Sequence, residues 1–384
     1  MESQYVESRI SRHLHAKAKQ RGIPLSGTFE LTPCCNLSCR MCYVRKPMSE
    51  VSARGGLLGA REWIDIAQSA RDRGMLYLLL TGGEPLTHPD FREIYTAVRN
   101  MGLVVSVNTN GTLIGEDMIR FFAANPPSRL NMTLYGAGRE AYGRLCGDPD
   151  GYDRAIRALE GMTAAGLCVK LNCSVTGYNR GEVEAILGIA HKYKVIIQTS
   201  SYMFPPLRRD PSSVGENDRL TPEEDAAVSM QLERLRFSAD EFRQRCAARL
   251  GGDAISDQSE CMDEPSEHIG CRAGSTSFWL NWDGGMCACG MIPRVCANVR
   301  SDGFDRAWQS VREDTAGILL PAKCSACKKR GSCIMCAASC YCETGAFDRA
   351  PEYLCRRTDA ILDICRKELE NENLPRIHRP RYRR

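Results

Sequence analysis

The sequence predicts an α/β protein, with six β/α units in series around a parallel sheet and then a smaller cysteine-rich domain with a β-hairpin and helices. Three observations predict it. Short apolar runs alternate with stretches of helical apolar spacing from residue 27 to residue 204, the order of a parallel sheet with helices packed outside. The cysteines concentrate behind the first strand and again from residue 261 onward. The 384 residues suffice for two or three domains,.

Residues 1–26 read as a short helix and linker, ended by Gly22 and Pro24, and 27–32 as the first strand,. Trp63, Ile66, Ala67 and Ala70 repeat at i, i+3, i+4 and i+7 and predict a helix closed by Gly74,. Residues 75–81 are a continuous apolar run that suits a buried parallel strand,. Phe91, Ile94, Tyr95 and Val98 mark the next helix, closed by Gly102, and 103–107 the third strand. A helix around Met118 and Phe122 and a strand at 130–134 follow. A helix through Ile156, Leu159 and Met162, ended by Gly166, leads to a strand at 167–175. A helix through Val183, Ile186, Leu187 and Ala190 and a strand at 195–199 complete the series. Residues 205–218 shift to Pro, Arg, Asp and Ser, which marks a linker,. A bridging helix capped by Thr221, with Pro222 at its first position, is expected to run to about residue 250,. Residues 278–282 and the following Asp283-Gly284 predict a strand entering a hairpin turn,. The basic tail at 371–384 carries Arg376, Arg379, Arg381, Arg383 and Arg384 and reads as a solvated segment,.

Hydrophobic content of 43% is ordinary for a globular chain,. No apolar run is long enough for a bilayer, and residues 1–21 lack the apolar core of a signal peptide, so a cytoplasmic location with no membrane is expected,. A net charge of +4 gives no case for nucleic acid,. In a reducing compartment, 21 cysteines point to metal binding rather than disulfides,.

Cys35, Cys39 and Cys42 have the spacing C-x3-C-x2-C directly behind the first strand. Four thiolates normally hold a cubane iron–sulfur cluster. Three leave one iron without a protein ligand, and that open position is where chemistry can occur. Three free thiols that happen to lie close is the bland alternative. Behind the second strand stands Thr81-Gly82-Gly83-Glu84-Pro85. Its two glycines permit a close backbone approach, Glu84 supplies a negative charge and Pro85 stiffens the exit. Both stretches lie at C-terminal strand ends, where working loops of such barrels sit.

Together, this cysteine trio and the Gly-Gly-Glu-Pro turn one β/α unit later resemble the signature of the radical S-adenosylmethionine (radical SAM) enzymes. Met41 stands where that family often has an aromatic residue, and Tyr43 follows the last cysteine instead. The resemblance implies a partial (β/α)6 barrel. It implies a [4Fe-4S] cluster whose open iron chelates S-adenosylmethionine, which is cleaved reductively to a hydrogen-abstracting 5′-deoxyadenosyl radical. It carries over Gly82, Gly83, Glu84 and Pro85 to the methionine amino group. Asn108, in the turn 108–111, points at the barrel mouth or is purely structural. Thr133, in Thr133-Leu134-Tyr135-Gly136, replaces the family's serine at the ribose. Arg144 meets the carboxylate or is a surface residue, and Asn172 is a weaker candidate.

The series Cys271-x12-Gly284-x4-Cys289, Cys324-x2-Cys327-x5-Cys333, Cys336 and Cys355 resembles the SPASM extension, which carries two auxiliary [4Fe-4S] clusters. It departs from the family once, with Cys336 one residue short of the usual spacing. The resemblance assigns Cys324, Cys327, Cys333 and Cys355 to an outer cluster. It assigns Cys271, Cys289 and Cys336 to an inner one with Cys261 as fourth ligand, Cys287 and Cys296 being alternatives. Zinc would explain Cys324 and Cys327 locally but not the whole series. Cys146, Cys168, Cys173, Cys246 and Cys365 read as core residues. Cys340 and Cys342 are either extra ligands or hydrogen-atom donors.

The resemblance spans residues 27–370 and implies oxidative modification, by thioether or carbon–carbon cross-link, of a ribosomally made peptide. A maturase for a sulfatase or for a peptide-derived redox cofactor is the alternative. Gly290 stands where sulfatase maturases carry an aspartate. A non-catalytic iron–sulfur or zinc scaffold would leave the trio and the Gly-Gly-Glu-Pro turn unexplained. Expected partners are a peptide or protein substrate and an external reductant such as flavodoxin or ferredoxin. Only 26 residues precede the first strand, too few for a leader-binding domain, so leader binding would need another surface or a separate leader-binding protein,.

Overall fold

The computed structural model describes residues 9–208, 218–252, 268–292 and 294–370. Cys261, most of the 205–218 linker and the basic tail lie outside the described residues. The first half runs α1 (Arg9–Arg21), β1 (Ser26–Glu30), α2 (Met48–Ala53), α3 (Ala60–Asp72), β2 (Tyr77–Thr81), α4 (Phe91–Asn100) and β3 (Val104–Thr109). It continues through α5 (Glu116–Ala124), β4 (Arg129–Thr133), α6 (Arg139–Cys146), α7 (Gly151–Ala164), β5 (Val169–Ser174), α8 (Val183–Lys192) and β6 (Ile196–Ser200). All six strands anticipated from the apolar runs are present.

Burial alternates along these strands. Phe29, Leu78, Leu80, Val105, Val107, Leu130, Met132 and Leu171 point to the helix side and are closed off, packed with Trp63, Tyr95 and Phe122. The opposite face carries Thr28, Ser106, Asn108, Asn131, Lys170, Asn172 and Gln198, all partly exposed. A side-chain period of two on a sheet with helices on one face produces this division. The sheet therefore presents an open, mostly polar face, unlike the packed interior of a closed eight-stranded barrel.

The second half contains α9 (Pro222–Arg236), α10 (Ala239–Gly251), β7 (Ser277–Leu280), β8 (Gly285–Cys287), β9 (Ala297–Asn298), α11 (Val299–Ala316), α12 (Ala322–Ser325), α13 (Ala337–Thr344) and α14 (Glu352–Glu370). The predicted hairpin is β7–β8, turned at Gly284 with φ +87°. Its first strand also pairs in parallel with β1, Thr28 opposite Trp279. One nine-stranded sheet results, ordered β6-β5-β4-β3-β2-β1-β7-β8-β9.

Two differences from the sequence reading have local causes. The single bridging helix is two helices, because Ser238 starts α10 with its own capping box. Its hydroxyl accepts from Glu241 N at 3.2 Å, and Glu241 accepts from Ser238 N at 2.8 Å,. The short helix α6 was not anticipated. It buries Ala141, Tyr142, Leu145 and Cys146 and stops at Gly147, φ +72°. Helices α9, α10 and α14 pack through Ala226, Met230, Phe242, Cys246, Ile361 and Cys365. They are tied to the sheet by the buried Asp225, which pairs with Arg357 at 2.9 Å and accepts from Ser201 Oγ at 2.6 Å. Among the described residues no helix is long and apolar enough to cross a membrane.

Candidate active site

The loop after β1 is held from two sides. Ser38 N and Arg40 N donate to the carbonyls of Cys146 and Leu145 at the end of α6, 2.9 and 3.0 Å. The loop after β2 clamps the other side, Gly83 N donating to Thr32 O at 2.7 Å and Glu84 N to Cys34 O at 2.9 Å. A Cβ on Gly82 would lie 2.4 Å from Thr32 O, and one on Gly83 would lie 2.3 Å from Cys34 O. The close approach these glycines permit is thus to the cysteine loop itself.

Glu84 is fully buried beneath this contact. Its carboxylate accepts from Thr109 Oγ1 at 2.9 and 3.0 Å, from Asn110 N at 2.7 Å and from Leu86 N at 3.2 Å. Burial outweighs these donors and pushes the carboxyl up to about 7,. Pro85, also buried, begins the short turn that follows. Asn110 extends the network, donating to Asn36 Oδ1 at 3.0 Å and to Cys35 Sγ at 3.7 Å and accepting from Thr112 N at 2.9 Å. Thr109 and Asn110 were not among the expected site residues. Their signal was the Asn-Gly pair, which turns the chain at Gly111, φ +77°,.

Asn108, on the open face, accepts from Asn131 Nδ2 at 2.9 Å. Thr133 ends β4 on the same face, half-buried. Arg144 lies on the exposed side of α6, 3.4 Å from Glu140 one turn earlier.

The cysteine side chains form three groups. Cys35, Cys39 and Cys42 lie within electrostatic reach of one another. Leu37 N donates to Cys35 Sγ at 3.4 Å and Arg45 N to Cys42 Sγ at 3.3 Å. Hydrogen bonds from Cys146 and Tyr135 hold the Cys39 thiol below its usual range. Burial acts the other way on Cys35 and pushes its thiol up to about 12 despite the Leu37 donor, so the fit to a cluster rests on three sulfurs carried by one short loop. Cys324, Cys327, Cys333 and Cys355 form the second group. Cys271, Cys289 and Cys336 form the third, with Ser339 N donating to Cys336 Sγ at 3.5 Å. The buried Cys342 lies beside Cys289 and Cys336, and Cys340 faces Cys336, Cys324 and Cys333. The inner-set alternatives each have a polar partner, Cys287 with Asn281 Nδ2 at 3.6 Å and Cys296 with Asp314 Oδ2 at 3.6 Å. Among the described residues no three His, Cys, Asp or Glu side chains converge as the ligands of a single ion would.

Arg208 reaches the loops of both the first and the third group. Tyr43, next to Cys42, lies within electrostatic reach of both Cys42 and Cys289. Arg208 stacks 5.9 Å from the Tyr43 ring and 5.8 Å from the Trp279 ring. It donates to Glu30 at 2.8 and 3.0 Å, to Asn281 Oδ1 at 2.9 Å and to Gly290 O at 2.9 Å. Trp279 Nε1 donates to the same Glu30 at 3.0 Å. A Cβ on Gly290 would lie 2.6 Å from the Trp279 ring, so this position has no room for the carboxylate that sulfatase maturases place there. Neither Glu30 nor Arg208 carries a motif, and sequence reasoning passed over both. A charged residue ending an otherwise buried strand was the available signal. A second buried hub lies across the open face, where Glu343 accepts from Tyr202 Oη at 2.8 Å and from Arg219.

Residues 29–190 match the family model described as Radical SAM superfamily. The AdoMet-dependent heme synthase of Methanosarcina barkeri is 26% identical over 333 residues, 83% of this chain and 93% of that protein. The mycofactocin maturase of Mycobacterium ulcerans is 32% identical over 173 residues, 44% of this chain and 45% of that protein. Among solved structures, Streptococcus suis SuiB bound to precursor peptide SuiA is similar with a TM-score of 0.66. That alignment covers 90% of this chain and 80% of the other at 17% identity, a likeness of fold.

Proposed function

We propose that this chain, whose residues 29–190 match the radical SAM superfamily, is a radical SAM enzyme that oxidatively modifies a ribosomally made peptide, closing a thioether or carbon–carbon cross-link. The family implies a [4Fe-4S] cluster and S-adenosylmethionine, which together supply reductive cleavage to a 5′-deoxyadenosyl radical. In this reading Cys35, Cys39 and Cys42 hold the cluster on a loop made rigid by Gly82, Gly83, Glu84 and Asn110. Thr133 and Asn108 line the path of the nucleoside, and Arg144 is the candidate for the carboxylate. Cys324, Cys327, Cys333 and Cys355 hold an outer auxiliary cluster. Cys271, Cys289 and Cys336, with Cys261, hold an inner one.

The observation that carries the reading is Arg208, which stacks 5.9 Å from the Tyr43 ring beside Cys42 and donates at 2.9 Å to Gly290 O beside Cys289. An inner electron acceptor next to the radical-forming loop lets the substrate leave the site oxidised. The polar face of the sheet offers Ser106, Asn131, Asn172 and Gln198 to an extended backbone. Arg208 stacks against the Tyr43 and Trp279 rings beside the two cysteine loops.

A second reading rests on a different observation. The heme synthase likeness runs through both halves of the chain, whereas the maturase likeness covers 44% of it. It favours a porphyrin-type substrate on the same face.

The test is anaerobic reconstitution with reductant and S-adenosylmethionine. About twelve irons per chain, falling to about eight when Cys35, Cys39 and Cys42 are all alanine, is expected for three cubane clusters. A candidate peptide encoded beside this gene should lose two hydrogens as 5′-deoxyadenosine accumulates. Turnover of an iron porphyrin, with the peptide unchanged, would replace the first reading by the second. A scaffold would release no 5′-deoxyadenosine.

A further inference from the structure

We propose that Arg208 and Glu30 form a buried charge pair that sets the reduction potential of the group held by Cys271, Cys289 and Cys336, Arg208 raising it and Glu30 opposing it. The inference rests on the functional reading above, in which that inner group accepts an electron from the substrate radical while the accompanying proton leaves to solvent.

The geometry places the cation on the ligand loop. Gly290 directly follows Cys289, and its carbonyl receives Arg208 Nη1 at 2.9 Å. The loop has no freedom to move away, because Gly290 is pressed flat on Trp279 and Trp279 is bonded to Glu30. Arg208 keeps only 13% of its side chain exposed and Glu30 1%. Charges so enclosed are weakly screened and act strongly on nearby groups. The ends of the pair are not equivalent. The guanidinium contacts the carbonyl after Cys289, and of the two charges it bears more strongly than Glu30 on the neighbouring Cys287. Glu30 ends β1, on the strand that leads to the first cysteine loop. Reduction adds negative charge, so the nearer cation favours the reduced form and the carboxylate disfavours it. Hydrogen bonding and buried charge are established controls on iron–sulfur potentials. Arg208 is a positioning residue here, because it acts through the Cys289 loop rather than on substrate.

The experiment is an EPR-monitored redox titration of the reconstituted full-length protein, with iron and sulfide measured on each sample. The signal of the S-adenosylmethionine-binding cluster is identified by its change on adding that compound. Arg208→Gln is expected to keep the wild-type iron content and to shift one auxiliary midpoint downward. Glu30→Gln should shift the same midpoint upward, and Arg208→Lys, which keeps the cation, should lie between wild type and Arg208→Gln. Full iron content with unmoved midpoints, or shifts of the same sign in both Gln variants, would overturn the proposal. Loss of iron in both would overturn it too, showing a clamp rather than a tuning pair. About four irons in the wild type would instead sink the auxiliary-cluster reading beneath it.

Discussion

Gly83→Ala is the sharpest available test of how the cysteine loop is held. The added methyl would lie 2.3 Å from Cys34 O and 2.7 Å from both Cys34 C and Pro33 O, where ordinary contact begins near 3.4 Å. All three atoms are backbone, so no side chain can rotate away. The two loops must separate by about 1 Å. That strains the 2.7 Å bond from Gly83 N to Thr32 O and the 2.9 Å bond from Glu84 N to Cys34 O. Overpacking costs about 1–3 kcal/mol, and two hydrogen bonds contribute about 0.5–1.5 kcal/mol each. The sum is about 2–6 kcal/mol. No backbone strain adds to it, since Gly83 is outside the left-handed region. Urea unfolding of the apoprotein measures the loss, and iron per reconstituted chain measures the consequence. Gly181→Ala is the control, because nothing lies within 4 Å of a Cβ there. If Gly83→Ala matched wild type in urea midpoint and iron content, the clamp would be wrong.

Two further predictions address the buried charges. Asp225→Ala strands Arg357 and removes the acceptor of Ser201 and Tyr353; a loss of about 3–5 kcal/mol is expected by urea unfolding, and one under 1 kcal/mol would show the hub to be dispensable. Glu84 has a folded pKa of about 7, against about 4.3 in the unfolded chain. A raised acid stabilises the fold fully below the unfolded value and loses that contribution as pH rises to the folded one. Apoprotein stability should therefore decline by up to about 4 kcal/mol between about pH 4 and pH 7, and Glu84→Gln should flatten that decline; parallel pH profiles for the two proteins would count against it.

The barrel half was legible because most strands are short apolar runs, three of them entered from a helix-ending glycine at Gly74, Gly102 and Gly166, and each long helix repeats at 3.6 residues. The cysteine groups were legible for a similar reason. Cysteines that share one loop or one short segment announce themselves by spacing, as Cys35, Cys39 and Cys42 do. What stayed hidden depends on residues far apart in the chain. Glu30, Arg208, Trp279 and Gly290 gain their meaning only when β7 is laid beside β1. Gly290 looked like the absence of an acid, whereas the structure shows a site already filled by an indole. The division into α9 and α10 was readable, since Ser238-x-x-Glu241 is a capping box, but the apolar pattern running through it masked the stop.

The pairing of β1 with β7 bears on how the chain is made. A central strand finished within the first thirty residues waits for a neighbour that begins at residue 277. On a translating ribosome, most of the polypeptide must emerge before that flank of β1 is covered. A nascent or truncated chain ending after β6 would leave β1 as an open, unprotected edge of its sheet, the kind of surface that sticks to other copies,. Long separation between partners also slows folding. A chain cut after residue 204 should be recovered in inclusion bodies or on chaperones, whatever cysteines it retains.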